Sequence, residues 1–166
     1  MSLVNTKEMF KRAYEGHYSI GAFNVDTFDT FKVVCEAAKE ENSPVIIQIT
    51  ENVIKYFGEN YLMAIAKTAS ETGIEMALHL DHGKSVETCK KCVDLGFTSV
   101  MIDASSMSFE DNIRLTKEVV EYAHKHNVTV ESELGSITGI EDDSTVEDKY
   151  GHFTHPDQVV EFVTRT

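Results

Sequence analysis

The chain has 166 residues, a formal net charge of −13, 42% hydrophobic residues and 26% charged residues. This is the balance of one globular domain with a sizeable core, and the acidic charge argues against nucleic acid or an anionic membrane surface as a partner. Residues 1–20 lack the apolar segment of a signal peptide, and no run reaches the roughly 20 apolar residues of a membrane span. Because three cysteines are too few for a disulfide framework, we expect a protein of the reducing cytoplasm.

Strand-like and helix-like segments alternate along the chain. Five apolar segments have the pattern of strands: 19–24, 44–50, 75–81, 98–104 and 128–134. Periodic segments between and after them predict helices: 27–41, 59–72, 85–95, 109–126 and a last one that opens near Pro156. Five strand–helix units with short connections predict an α/β fold, a parallel sheet with its helices outside.

Residues at the segment ends support these boundaries. Asp26, Ser85 and Ser108 each stand where a helix N-cap is expected, and their side chains can accept a hydrogen bond from the first turn. Gly73 and Gly96 stand where helices end, which is where a left-handed backbone favours glycine.

One connection is much longer than the others. Residues 135–153 contain three glycines and five carboxylates and have no helical periodicity. Loops of this length in compact domains are usually functional lids or disordered segments. The acidic cluster at 141–143 could also be an ordinary solvated loop.

Polar side chains gather where the strands end. Since side chains alternate across a strand, each strand divides into an aliphatic face, suited to packing under helices, and a face that turns polar towards its carboxyl end. Thr50, Asp81, Asp103 and Glu133 lie at or next to these ends. Because the carboxyl ends of parallel strands share one edge, four strands predict a site at that edge.

The predicted edge carries charges that need compensation. Asp81, Asp103 and Glu133 would repel one another there, and a cation bound together with His82 would relieve this repulsion. Histidine with carboxylates suits zinc or another divalent metal. The alternative is that these residues only end their strands and meet water.

Four ordered motifs resemble one enzyme family. LHLDHG (78–83), SVMIDAS (99–105), VESELG (130–135) and GIEDD (139–143) closely resemble class II, metal-dependent fructose-1,6-bisphosphate aldolases. The resemblance implies a (β/α)8 TIM barrel, of which residues 1–166 supply about the first five βα units. It also implies reversible cleavage of fructose 1,6-bisphosphate into dihydroxyacetone phosphate and glyceraldehyde 3-phosphate in the cytoplasm.

The same resemblance implies metal ligands. His82 matches one of three histidines that bind the catalytic Zn²⁺. Asp103 and Glu133 match a second cation position, divalent or monovalent, that is occupied in some members of the family.

Catalytic and substrate-binding residues follow from the matched motifs. Asp81 would be the acid/base at the C4 hydroxyl, and Glu141 and Asp142 match the acidic pair that handles the enediolate proton. Asn24 and Thr50 match positions near the substrate. The implied partners are a phosphorylated sugar and further copies of the chain, as a dimer or tetramer. Fructose 1,6-bisphosphate and tagatose 1,6-bisphosphate remain open as substrates.

The chain is shorter than a complete barrel, which needs about 250 residues. The family's remaining strands carry two more zinc-binding histidines and the phosphate-binding loops. A truncated chain, a longer protein seen in part and one half of a two-piece assembly remain open, as does an inactive fragment or scaffold. We expect the isolated segment to lack aldolase activity, to bind zinc weakly and to expose apolar edges.

Smaller signals have more ordinary interpretations. The CKKC motif at 89–92 lies within a predicted helix, so its cysteines are expected to line the core. His79 and Glu131 share the inward strand parity, which favours a supporting or structural role beside the site. A phosphoacceptor receiver domain is disfavoured because the first strand ends in AFNVD and the fifth in SELG, without its acidic pair or lysine.

Overall fold

The computed structural model describes residues 3–135, 139–141, 144–146 and 153–166; for 139–141 and 144–146 it describes the backbone alone. The strands are β1 (Gly21–Asn24), β2 (Val45–Thr50), β3 (Met76–Gly83), β4 (Ser99–Ile102), β5 (Thr129–Ser132), β6 (Gly139–Glu141) and β7 (Ser144–Val146). The helices are α1 (Thr6–Gly16), α2 (Phe28–Glu40), α3 (Glu51–Phe57), α4 (Glu59–Glu71), α5 (Val86–Asp94), α6 (Phe109–Ala123) and α7 (Pro156–Arg165).

The first five strands form one parallel sheet in the order β1-β2-β3-β4-β5. Each strand pairs with its neighbour in sequence, as expected when every crossover is a short helical one. The predicted α/β fold with five βα units is therefore confirmed. Within the long connection, β6 and β7 form an antiparallel pair.

The two faces of the sheet carry different layers. On the outer face, aliphatic side chains such as Ile47, Leu78 and Val100 are buried under the helices. Cys89 and Cys92 belong to this core, so their expected core-lining role is confirmed. At the amino ends of the strands, Met9 of α1 covers the inner face.

Helix ends follow the expected chemistry with one exception. Ser85 accepts a hydrogen bond from the Thr88 amide, and Ser108 accepts one from the Asp111 amide. The predicted N-cap at Asp26 is wrong, because Thr27 accepts from the Thr30 amide one residue later. Gly73 and Gly96 have φ values of 78° and 94°, as expected for helix exits.

The sheet presents an open apolar edge at β1. Among the described residues, β1 pairs only with β2, and Phe23 and Val33 are 50% and 64% exposed. The expected exposure of an apolar edge is confirmed at β1. No helix in the described part of the chain is long and apolar enough to cross a bilayer.

Candidate active site

The predicted site residues of the sheet lie along its carboxyl edge. Asn24 and Thr50 are the last residues of β1 and β2, and Thr50 pairs in register with Asp81 of β3. Asp103 and Glu133 closely follow the last residues of β4 and β5. Parallel order with this register therefore places all five strand ends on one rim.

A bulge in β3 directs His82 into the site. Strict alternation would place His82 on the helix-facing side, the opposite side to Asp81. The pairing of β3 with β4 shifts between Leu80 and Gly83, and His82 has a left-handed backbone with φ 48°. Such a backbone is uncommon for a residue with a side chain and often marks a functional position. Because of the bulge, the consecutive residues Asp81 and His82 both contribute side chains to the rim.

His82, Asp103 and Glu133 form one compact cluster. His82 Nδ1 lies 3.1 Å from Asp103 Oδ2 and 3.9 Å from Glu133 Oε2. One possible ligand atom from each residue lies within 4.8 Å of the others, and all three side chains are partly buried. An imidazole nitrogen with two carboxylate oxygens is a donor set that fits a divalent cation. The cluster thus matches the three predicted metal residues.

Ser105 holds Asp103 in place, and sequence reasoning did not single it out. Asp103 Oδ1 accepts hydrogen bonds from Ser105 Oγ at 2.7 Å and from the Ser105 amide at 3.1 Å. The bonds from His82 and Ser105 lower the pKa of Asp103 to about 2, against partial burial that raises it. A serine two residues after a strand-end aspartate was the available signal, because this spacing favours an Asx turn.

A second polar cluster lies on the inner face behind the rim. His79 is 3% exposed, its Nδ1 lies 2.8 Å from Ser99 Oγ, and its Nε2 lies 3.6 Å from Glu131 Oε2. Burial, assisted by the nearby His82, lowers the pKa of His79 to about 4. Desolvation and the Asp81 carboxylate raise the pKa of Glu131. His79 is therefore a neutral buried group at pH 7, in keeping with its predicted structural or supporting role.

Comparison with known proteins decides the family. The model of the family described as fructose-bisphosphate aldolase class-II matches residues 4–166. The chain belongs to this class II aldolase family. Class II aldolases are metal-dependent lyases, and among the described residues His82, Asp103 and Glu133 form a group that could hold a metal ion.

Relatives of this aldolase chain are about twice its length. It is 45% identical over 163 residues to a fructose-bisphosphate aldolase of Helicobacter pylori, covering 97% of this chain and 53% of that protein. It is 42% identical over 167 residues to a 6-phospho-5-dehydro-2-deoxy-D-gluconate aldolase of Halalkalibacterium halodurans, covering 97% of this chain and 57% of that one. The chain therefore spans somewhat more than half the length of these relatives.

A solved aldolase structure has the same fold. The crystal structure of the YdjI aldolase of Escherichia coli K12 superposes with a TM-score of 0.86 at 35% identity, covering 99% of this chain and 59% of that one. The five described βα units thus correspond to part of an aldolase barrel.

Two predicted residues of the aldolase fall in the long connection. The backbone of Glu141 lies in β6, but its side chain and all of Asp142 lie outside the described residues. Their role at the enediolate proton stays a prediction.

Proposed function

We propose that residues 1–166 are the first five βα units of a single aldolase barrel domain that cleaves fructose 1,6-bisphosphate reversibly. The products are dihydroxyacetone phosphate and glyceraldehyde 3-phosphate. One observation carries the proposal: the His82–Asp103–Glu133 cluster lies next to Asp81 at the carboxyl edge of the family's fold. This edge is where enzymes of this architecture build their active sites.

Asp81 would be the acid/base of the reaction. In cleavage it takes the proton of the C4 hydroxyl while the C3–C4 bond breaks, so that the C4 oxygen becomes the aldehyde and the bonding pair moves into an enediolate. Glu141 or Asp142 then supplies a proton to the enediolate carbon, and Asn24 and Thr50 orient the substrate. General acid–base catalysis of this kind contributes roughly 10²–10⁴-fold in rate.

His82 would bind the catalytic Zn²⁺, which supplies, when bound, a Lewis acid that stabilises the negative charge of the enediolate. Asp103 and Glu133 would hold a second cation, divalent or monovalent, close to it. Two further histidine ligands and the phosphate-binding loops would come from the part of the relatives that this chain does not span. We therefore expect no aldolase turnover from the 166-residue chain alone. The complete enzyme would be a cytoplasmic dimer or tetramer.

A chimeric enzyme tests the proposal. Residues 4–166 replace the matching part of the Helicobacter pylori aldolase, and cleavage is followed by a coupled assay of the triose phosphates. We expect activity in the chimera, its loss in Asp81→Asn, and continued hydrogen exchange at C3 of dihydroxyacetone phosphate in that variant, because the exchange does not involve the C4 hydroxyl. Asp94→Asn, at the opposite end of α5 from the rim, is the matched control. A folded, zinc-loaded chimera without cleavage would contradict the proposal.

A second substrate class is favoured by one comparison. Identity to the Halalkalibacterium halodurans deoxygluconate phosphate aldolase is 42%, close to the 45% of the Helicobacter pylori protein. Tagatose 1,6-bisphosphate, the C4 epimer of the fructose sugar, is the other alternative. Values of kcat/KM with the chimera are compared for fructose 1,6-bisphosphate, tagatose 1,6-bisphosphate and 6-phospho-5-dehydro-2-deoxy-D-gluconate. The largest value identifies the preferred substrate.

A further inference from the structure

Helix α6 buries two polar side chains that the proposed reaction does not use. Asn112 and Thr116 are each 3% exposed and lie one turn apart on the face that packs against the sheet. Their neighbours on this face, Ile113 and Val119, are aliphatic. A buried amide or hydroxyl lowers stability unless it is hydrogen-bonded, and aliphatic side chains would fill the space without that requirement.

These side chains form a network of hydrogen bonds with β5. Asn112 Nδ2 donates to the Glu133 carbonyl oxygen at 2.7 Å, and this fixes the amide orientation, because a carbonyl can only accept. Asn112 Oδ1 accepts from Thr116 Oγ1 at 3.1 Å. Thr116 Oγ1 lies 2.9 Å from Ser132 Oγ, and Ser132 Oγ lies 3.5 Å from Asn112 Oδ1, so the three side chains are hydrogen-bonded to one another. The hydrogen bonds thus connect Ser132, through Thr116 and Asn112 of α6, to the backbone of Glu133, the residue that follows Ser132.

The hydrogen bonds hold the end of β5, which is an edge strand of the described sheet. In the described part of the chain, β5 pairs only with β4, and the last register pair joins Ile102 to Ser132. Glu133 lies one residue beyond this ladder, and its carbonyl finds a partner on α6. The Ser132 side chain faces α6, and the neighbouring Glu133 carboxylate faces the cluster, 3.9 Å from His82 Nδ1.

We propose that Asn112, assisted by Thr116, is a positioning residue for Glu133. It anchors the backbone of Glu133 from the outer side of the sheet, so that the carboxylate is already placed towards His82 and Asp103 before a cation arrives. This inference rests on the proposed metal site. A ligand fixed in advance loses less conformational freedom on binding, and loss of a supporting hydrogen bond commonly weakens metal affinity by roughly 10–100-fold.

Cation affinity of the 166-residue chain tests the proposal. Co²⁺ is titrated with visible absorption as the readout, and Zn²⁺ affinity is obtained by competition. Glu133→Gln shows how much Co²⁺ affinity is lost when one ligand is removed. We expect Asn112→Ala and Thr116→Val to weaken Co²⁺ binding by about 10-fold and to shift its absorption band. Thr116→Ser keeps the hydroxyl and is expected to bind as the unchanged chain does.

Thr6→Val is a matched control for Thr116→Val. Thr6 is also a buried threonine, 5% exposed, and its hydroxyl lies 2.7 Å from Thr129 Oγ1 at the amino end of β5. We expect it to lower the melting temperature as Thr116→Val does and to leave Co²⁺ affinity unchanged. Unchanged affinity in folded Asn112→Ala and Thr116→Val, or an equal loss in Thr6→Val, would overturn the positioning role alone. Failure of the unchanged chain to bind either cation would overturn the cation site of His82, Asp103 and Glu133 and this role with it, whereas the proposed aldolase function, whose zinc site has two further histidines, is decided by the chimera.

Discussion

Gly83 lies so close to Met101 that a Cβ added to it would come within 2.7 Å of the Met101 carbonyl oxygen. The same atom would meet Leu80 Cδ2 at 2.7 Å and Cys89 Sγ at 3.1 Å. Real Cβ atoms do not approach backbone this closely, so β3 and β4 can keep this spacing only with glycine at the position. The bulge that brings His82 to the rim therefore requires glycine at position 83.

Gly83→Ala is expected to lower the free energy of unfolding by about 1–3 kcal/mol, the usual effect of overpacking a core. Urea unfolding followed by circular dichroism measures it. Gly73→Asn is the matched control, because Gly73 has φ 78° and open space around its Cβ position. Asparagine tolerates that backbone, so a small effect is expected there. Equal losses in the two variants would mean that the contact with Met101 does not matter.

Because His79 is buried, we expect the free energy of unfolding to decrease as the pH falls below neutral. Its pKa is about 4 in the fold and 6.5 for an unperturbed imidazole, so the unfolded chain binds more protons between these limits. The neutral His79 contributes about 3 kcal/mol to the free energy of unfolding above about pH 6.5. This contribution declines as the pH falls and is lost by about pH 4. His79→Gln should flatten this part of the profile of unfolding free energy against pH.

The exposed His155 provides the control for that experiment. His155→Gln removes a histidine whose side chain is 65% exposed, and its profile is measured beside that of His79→Gln, so that an effect of the buried site can be told from the loss of any histidine. A profile that keeps its slope in His79→Gln would show that another group is responsible for the acid sensitivity.

Ser105 sets part of the charge state of Asp103. The pKa of Asp103 is about 2, held down first by the hydrogen bond from His82 and then by those from Ser105. Removing the Ser105 hydroxyl in Ser105→Ala should raise this pKa, measured by carboxyl ¹³C NMR. A carboxyl group with a lowered pKa stabilises the fold above about pH 4, and this stabilisation is lost as the pH falls towards 2. Because Ser105→Ala loses part of it, the midpoint of acid unfolding should lie at a higher pH in the variant. Ser105→Thr, which keeps the hydroxyl, should behave as the unchanged chain. An unchanged pKa in Ser105→Ala would leave His82 and the amide of residue 105 as the causes of the low pKa.

The parallel sheet was predictable because strong aliphatic periodicity and short connections leave few alternatives. Helix α1 was missed because it buries only Thr6, Met9 and Ala13, while its larger apolar residues Phe10 and Tyr14 are exposed, so its apolar residues do not mark the buried face. Helix α3 was missed because it begins directly at Glu51, after the last strand residue Thr50.

The site was predictable only in part. Rim residues such as Asp103 and Glu133 follow from strand ends, since alternation fixes their side. The direction of His82 follows from a bulge, which depends on contacts with β4 that are distant in sequence. Asn112 is separated from Glu133 by 21 residues, and the only local signal was a pair of polar residues on an otherwise aliphatic helix face.

The cysteines of the CKKC motif should be unreactive in the native chain. Burial is the main cause that raises the pKa of Cys89 and of Cys92 to about 12, and both are nearly inaccessible to solvent. At pH 8 almost no thiolate is present, so alkylation must await local or global unfolding. Iodoacetamide labelling followed by mass spectrometry should modify Cys35 first, because its pKa is about 11 and it is 8% exposed. Labelling in urea should modify all three cysteines and provides the control. Rapid native labelling of Cys89 or Cys92 would instead favour a redox or metal-binding role for the motif.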